Sequence, residues 1–409
     1  MVKLFIDGMS IEANDGITIL EAAKLAKVNI PTLCYLKEIN EIGACRICVV
    51  EVEGRDRLVA ACNTPIEEGM QVHTNSEKVR LARKTNLELI LSEHDCHCPT
   101  CIRSGNCKLQ TLAQEMNILD IPFEQKTAKN KWKASDILLR KDSKCIKCLR
   151  CVSVCDKVQG LGVWELRGNG AHANVVVRSG ANLSNICSLC GQCVTHCPVG
   201  ALSARDDTEK VFAAINNPEK IVVVQVAPAV RTAWCEGLGI APEAATEKRM
   251  AAAMRALGAD YVFDTNFSAD LTIMEEGNEF TEKIMSHDTH ALPMFTSCCP
   301  GWVRFVKMEY PELVPNLSGA KSPQQMFGAV AKSYFAEKIG VEPEKIFCVS
   351  VMPCMAKKYE CDVEKVNDAS VKDVDAVITT REFVRMLKEK YVNVAELPEE
   401  EFDSPLGES

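Results

Sequence analysis

Along the last 190 residues, short apolar runs alternate with longer amphipathic ones. IVVVQVA (221–227), YVFD (261–264), MFTS (294–297), IFCVSVM (346–352) and VDAVITT (374–380) have the length and β-branched content of strands. Between them, EKRMAAAMRALG (247–258), ADLTIMEEGNEFTEKIM (269–285), SPQQMFGAVAKSYFAEKIG (322–340) and REFVRMLKEK (381–390) space their apolar residues as helices do. Nearly continuous apolar strands separated by helices predict an α/β domain over 219–409, with a parallel sheet covered by helices. Such sheets take ligands beyond the carboxyl ends of their strands. Three segments are expected there: APAVR (227–231), SCCPGW (297–302) and PCMAK (353–357). Independent strands would then bring Cys298, Cys299 and Cys354 to one crevice.

The first half reads differently. KLFIDG and SIEAN predict a hairpin and ITILEAAKLAKV (17–28) a short helix, so 1–78 is expected to be a small α+β domain. A polar, lysine-rich stretch at 126–140 reads as a connection. VFAAINN (211–217) is helix-like and precedes the change of pattern.

Composition narrows the classes. The 409 residues are too many for one core, and 47% hydrophobic with 25% charged residues is a globular profile. A net charge of −9, without a basic stripe carrying interleaved aromatics, gives no reason to expect nucleic acid. No run of 18 apolar residues and no signal-peptide layout is present, so a cytoplasmic chain without a membrane span is expected. The 22 cysteines are clustered at metal-ligand spacings, which suits a reducing compartment.

Those spacings carry the chemistry. Cys145, Cys148, Cys151 and Cys155 spell C-x2-C-x2-C-x3-C, and Cys187, Cys190, Cys193 and Cys197 spell it again, followed by Pro198. This is the ligand set of two [4Fe–4S] cubanes, in which the fourth cysteine of each run ligates the other cluster. Zinc sites usually separate their C-x2-C pairs more widely. Upstream, Cys34, Cys45, Cys48 and Cys62 (C-x10-C-x2-C-x13-C) suit a [2Fe–2S] centre, with buried or zinc-binding cysteines as the alternative. Between these sets, His94, Cys98, Cys101 and Cys107 suit a [4Fe–4S] cubane with one imidazole ligand. Cys96 and His97 are rivals in the same loop, and His73, His172, His196, His287 and His290 read as ordinary residues. The expected domains are 1–78, 79–125, 138–209 and 219–409.

At TSCCPGW (296–302) and MPCMAKKYE (352–360) the chain resembles the catalytic subunit of [FeFe]-hydrogenases, in the multi-cluster, clostridial-type form. The resemblance implies a β-grasp-like [2Fe–2S] domain, a one-histidine/three-cysteine domain, a two-cubane ferredoxin domain and a hydrogenase domain. It further implies an H-cluster: a cubane bridged through one cysteine to a two-iron subsite with CO, CN⁻ and azadithiolate ligands. By motif, Cys299 and Cys354 resemble cubane ligands, Cys298 the proton-passing thiol, and Lys357 the ammonium that binds a cyanide. Met352 and Pro353 would line the subsite, with Ala227 and Pro228 facing it. Glu276, Ser318 and Glu279 resemble the proton path. Implied partners are ferredoxin or NAD(P)H-oxidising iron–sulfur/flavin subunits, protons and H2, and H-cluster maturation proteins.

One motif departs. The family carries a later C-x3-C segment that completes the cubane and bridges to the two-iron subsite, whereas this sequence stops at SPLGES (404–409). Cys235, Cys348 and Cys361 lack that spacing, and Cys348 reads as a core residue of its strand. The expectation is an incomplete hydrogenase domain, from a fragment of a longer chain or a naturally short one. Reversible proton reduction to H2 is the expected activity. The alternative is a non-catalytic electron-transfer or redox-sensing subunit; a complex-I-like iron–sulfur subunit would account for 1–209 alone.

Overall fold

The computed structural model describes residues 1–127, 136–286, 292–364 and 371–404. Most of the lysine-rich connection, His287, His290 and the last residues of SPLGES lie outside them. The chain forms two compact units: 1–186 with 192–203, and 187–191 with 204–409.

In the first unit, β1 (Val2–Ile6) and β2 (Met9–Ala13) pair antiparallel across Asp7–Gly8. Both turn residues have positive φ, 48° and 81°, which is why an Asp-Gly pair makes this tight hairpin. α1 (Ile19–Leu25) starts in a capping box between Thr18 and Glu21. With β3 (Val49–Val52), β4 (Val59–Ala60) and β5 (Gln71–His73) the sheet runs β2-β1-β5-β3-β4, with β1 and β5 parallel. Leu4, Ile6, Ile19, Leu20, Val50 and Val72 fill its core. α2 (Glu77–Ser92), capped by Ser76, and α3 (Lys108–Glu115) follow. The unit continues with β6 (Leu138–Arg140), α4 (Arg150–Ser153), the antiparallel β7 (Trp164–Arg167) and β8 (Asn174–Val177), α5 (Leu183–Ile186), α6 (Gln192–His196) and β9 (Leu202–Ala204).

The second unit contains α7 (Thr208–Ile215), β10 (Ile221–Val226), α8 (Trp234–Leu238), α9 (Glu247–Leu257), β11 (Tyr261–Asp264) and α10 (Asn266–Met285). Then come α11 (Pro300–Glu309), α12 (Pro323–Val330), α13 (Ala336–Ile339), β12 (Ile346–Met352), α14 (Ala356–Asp362), β13 (Ala376–Thr379) and α15 (Thr380–Glu389). The strands form a parallel sheet ordered β11-β10-β12-β13. Val222, Val224, Val226, Val349, Val351 and Ile378 are buried in it.

One expected element comes out differently. MFTS forms no strand; Phe295 makes one bridge to Leu317. Beyond it, Ser297 donates its N–H toward Glu276 (3.5 Å) and its hydroxyl to the Ala320 carbonyl (3.1 Å). Side-chain and loop acceptors replace a strand ladder, so Cys298 and Cys299 arrive on an extended segment that enters α11, not on a sheet strand. The helix expected over 322–340 is entered at Ser322–Pro323 and stopped at Gly340, and one π turn across Ala331–Phe335 joins α12 to α13 within it. α12 packs so closely that a Cβ on Gly328 would come within 2.6 Å of the Asp373 carbonyl.

A buried ionic knot underlies the sheet's carboxyl end. Lys358 is wholly buried and donates to Asp207 (2.9 Å), Glu382 (2.9 Å) and the Val377 carbonyl (2.6 Å). Those three acceptors tie α14 to β13, to the start of α15 and to the segment entering α7.

Candidate functional site

In the first unit, Cys34, Cys45, Cys48 and Cys62 come together from loops around the five-stranded sheet. Cys34 hydrogen-bonds Cys45, and Cys48 hydrogen-bonds Cys62. The Cys45 thiol is held down to about 6 by the bond from Cys34, against burial, with help from the N–H groups of Ile47, Cys34 and Leu33. N–H groups aimed at sulfur favour thiolate, the form that binds iron. Arg46 at φ 54° and Gly43 at φ 63° bend the loop into this shape.

Cys145, Cys148 and Cys151 form a second set. Lys147 (φ 54°) and Leu149 (φ 62°) turn the chain so that thiols three residues apart point inward together. Cys197 belongs with them: Cys148 is pushed up to about 12 by burial and then by the charges of Cys197 and Cys145. Cys151 is raised by burial and by Cys148, Cys145, Cys193 and Cys197. Buried thiols that repel one another's thiolates are unfavourable unless a cation sits among them, and an iron–sulfur core supplies one. Among the described residues, no group of three or more His, Cys, Asp or Glu side chains is placed to hold a single metal ion. Cys155 is buried beside this set and accepts from the Val163 N–H at 3.3 Å. Of the second run, Cys193 and Cys197 lie in the first unit and Cys187 and Cys190 in the second.

His94 is buried, and its Nδ1 has no partner. Burial first, and then the Lys144 charge, depress its pKa to about 4, leaving a neutral imidazole with an electron pair free for a metal. Its rivals are otherwise engaged. Cys96 donates to the His94 and Leu91 carbonyls at 3.4 and 3.8 Å, and His97 is exposed and paired with Asp95. Cys98, Cys101 and Cys107 are half-buried in the loop leading to α3, and Cys98 feels the charges of the other two. Elsewhere, His73 pairs with Glu53 and His196 with the Gln192 carbonyl.

In the second unit, Cys299 caps α11 and Cys354 follows β12. They are close enough that the Cys299 charge adds to the burial that raises Cys354. Cys298 and Cys299 are exposed, and Cys354 is half-buried. The Lys357 ammonium reaches back to the Cys298 carbonyl at 2.8 Å, so the two motifs share one site. Ala227 continues from β10 and donates to the Val351 carbonyl (3.0 Å), just before buried Met352 and exposed Pro353. Pro228 opens the short turn after Ala227. On α10, Glu279 accepts from the Ser318 hydroxyl (2.8 Å), the Gly319 N–H (3.0 Å) and Lys283 (2.7 Å). Glu276, one turn earlier, faces the Ser297 N–H.

Residues 220–409 match the family described as iron only hydrogenase large subunit, C-terminal domain. Residues 1–77 match a 2Fe-2S iron-sulfur cluster binding domain, 83–122 an NADH-ubiquinone oxidoreductase-G iron-sulfur binding region, and 135–203 the ferredoxin-like domain of NADH-quinone oxidoreductase subunit 3. The NADP-reducing hydrogenase subunit HndD of Solidesulfovibrio fructosivorans is 47% identical across all of this chain and 72% of its own length. The chain belongs to the iron-only hydrogenase family. Iron hydrogenase 1 of Clostridium pasteurianum is 38% identical, over the whole chain and 71% of its own length. A solved [FeFe]-hydrogenase from Chlamydomonas reinhardtii is 46% identical over 50% of this chain and 52% of that one, with a TM-score of 0.47. The chain is therefore a hydrogenase that couples iron–sulfur electron-transfer domains to an H-cluster domain. Among the described residues, no helix is long and apolar enough to cross a membrane.

The cluster around Lys357 contains residues that motif reading did not single out. Glu360 accepts from Lys357 (2.9 Å), Ser322 (2.9 Å) and Gln324 (3.1 Å). Its place three residues after Lys357 on a helix was the available signal. Lys283, four residues after Glu279, offered the same signal. Ser297, Ser322 and Gln324 offered none.

Proposed function

We propose that this chain takes electrons from an NAD(P)H-linked iron–sulfur/flavin partner and delivers them to an H-cluster held in part by Cys299 and Cys354. The thiol set Cys34, Cys45, Cys48 and Cys62 would hold one [2Fe–2S] centre, and His94, Cys98, Cys101 and Cys107 one cubane. The two four-cysteine runs would hold two more. Support for the partner class comes from the HndD relative's name and the NADH-oxidoreductase families matched by the first half.

When bound, the H-cluster supplies the iron chemistry that interconverts H2 with two protons and two electrons. The side chains do the rest. The exposed Cys298 thiol can both give and take a proton, which a relay requires. Glu276 stands near the start of the same segment, and Ser318 hands its hydroxyl proton toward Glu279. Burial raises the Glu279 pKa, but bonds from Lys283, Ser318 and Gly319 outweigh it and keep the carboxylate ionised, ready to accept. Lys357 is a fixed cation where an anionic ligand would face it, held by Glu360 and the Cys298 carbonyl. That bond from Lys357 to Cys298, across 59 residues, is the observation that carries the reading.

Cys298→Ala in the maturated protein is expected to nearly abolish H2 evolution from reduced viologen while iron content and infrared CO and CN⁻ bands persist. Wild-type-like rates would sink the proton-relay role.

A further inference from the structure

Asn40 is wholly buried, between two thiol sets. It closes a turn in which Leu36 and Asn40 exchange backbone bonds of 3.0 and 2.8 Å, so its side chain leaves the backbone in a fixed direction. Its Nδ2 donates one hydrogen to the Cys34 carbonyl (2.8 Å) and the other to the Cys148 carbonyl (3.0 Å). Its Oδ1 accepts from the Ser153 hydroxyl (2.8 Å). Both donors are used, and the amide cannot flip without losing them all. Arg150 reinforces the same junction, donating Nε to the Cys34 carbonyl (3.2 Å) and Nη2 to the Tyr35 carbonyl (2.8 Å).

One nitrogen atom thus joins the backbone of a residue in the Cys34 set to the backbone of a residue in the Cys145 set. The His94 module grips the Cys145 set elsewhere, where Arg103 donates to the Val194 and Cys197 carbonyls at 3.1 Å each. Asn40 therefore serves the Cys34 set specifically. Electron exchange weakens steeply across non-bonded gaps, and hydrogen bonds shorten such gaps. Ligand-adjacent hydrogen bonds also fix the orientation of the ligands themselves.

Resting on the ligand sets proposed above, we infer that Asn40 is the positioning residue for electron exchange between the [2Fe–2S] centre and the first ferredoxin cubane. One electron leaves the reduced [2Fe–2S]⁺ centre, which becomes [2Fe–2S]²⁺, and converts [4Fe–4S]²⁺ to [4Fe–4S]⁺. No bond forms or breaks and no proton moves.

The test uses the full chain with its clusters, flash-photoreduced by deazaflavin and followed by freeze-quench electron paramagnetic resonance. In Asn40→Ala and in Asn40→Asp, which keeps the shape but removes both donors, [2Fe–2S]⁺ reoxidation by the cubane should slow roughly tenfold. Iron content and midpoint potentials should stay as in the wild type, which a merely structural role would not predict. Ser153→Ala, which frees only Oδ1, should slow it less and in the same direction. Unchanged rates in the variants that load both centres would overturn the inference. Should Asn40→Ala lose its [2Fe–2S] signal, Asn40→Asp and Ser153→Ala decide in the same way. A wild-type chain without a [2Fe–2S] signal would overturn the ligand assignment itself, and the bridge with it.

Discussion

The Lys357 ammonium is fixed between the Cys298 carbonyl, at 2.8 Å, and a Glu360 carboxylate oxygen, at 2.9 Å. Neither residue is free to turn away. Glu360 is itself held by Ser322 and Gln324 at the start of α12, and both it and Lys357 are largely shielded from water. In the proposed role the cation would thus be aimed before its anionic ligand arrives, which is how an enzyme avoids reorganising at the moment of reaction.

Glu360→Gln keeps the volume but leaves Lys357 with a weaker anchor. H2 evolution should fall by about tenfold, the usual scale for a group that orients a metal-site residue. Assays with reduced viologen at matched iron content measure it, and an unchanged rate would remove Glu360 from the machinery.

Lys358 makes a sharper stability prediction than its exposed counterparts. Lys358→Met leaves the Glu382 carboxylate without its cation in the interior, while Asp207 keeps Arg205 and Lys210 at 3.0 Å each, and should cost about 3–5 kcal/mol, read by chemical denaturation. Burial raises the Asp207 carboxyl, but the Lys358 charge and hydrogen bonds from Lys358, Arg205 and Lys210 overcome that and hold it at about 2. Because the folded value is depressed, this stabilisation is full above the unfolded carboxyl pKa of about 3.9 and is lost as pH falls toward 2.

Lys283→Met tests the Glu279 environment. Without the 2.7 Å ion pair, only the Ser318 and Gly319 bonds oppose burial, and the Glu279 pKa should rise toward its ordinary value. The native pair stabilises above the unfolded glutamate pKa of about 4.3 and fades as pH drops through the lowered folded value. In the variant, the acid side of a melting-temperature profile should therefore flatten, with no gain in stability across that range.

In the proposed cubane, His94→Cys replaces a neutral ligand by a thiolate. The added negative charge should lower the reduction potential of that centre in a titration followed by electron paramagnetic resonance. Cys96→Ser and His97→Ala should leave it unmoved, because Cys96 points at carbonyls and His97 at Asp95 in the exposed loop.

Much of the fold was legible because it is written in local periodicities. β10, β12 and α15 lie where β-branched runs and helical spacing put them, and the Asp7–Gly8 hairpin follows from turn chemistry. MFTS misled because four residues of strand-like composition do not reveal that Glu276 and Ala320 will take the place of a neighbouring strand. The 322–340 helix is legible in extent, and its one π turn is not, since such a turn leaves the apolar spacing almost intact.

For the site, the sequence by itself determined the metal-binding vocabulary and the family. Thiols that must surround one cluster are constrained to short, fixed spacings, so Cys145, Cys148 and Cys151 announce themselves without any fold. The tertiary structure alone decided which groups complete and orient them. Asn40 bonds two loops, Glu360 holds Lys357, and buried Lys358 pairs with Asp207 across 151 residues. Most of these partners meet only once the chain has folded back on itself, and a contact between distant residues leaves no periodic mark on either segment.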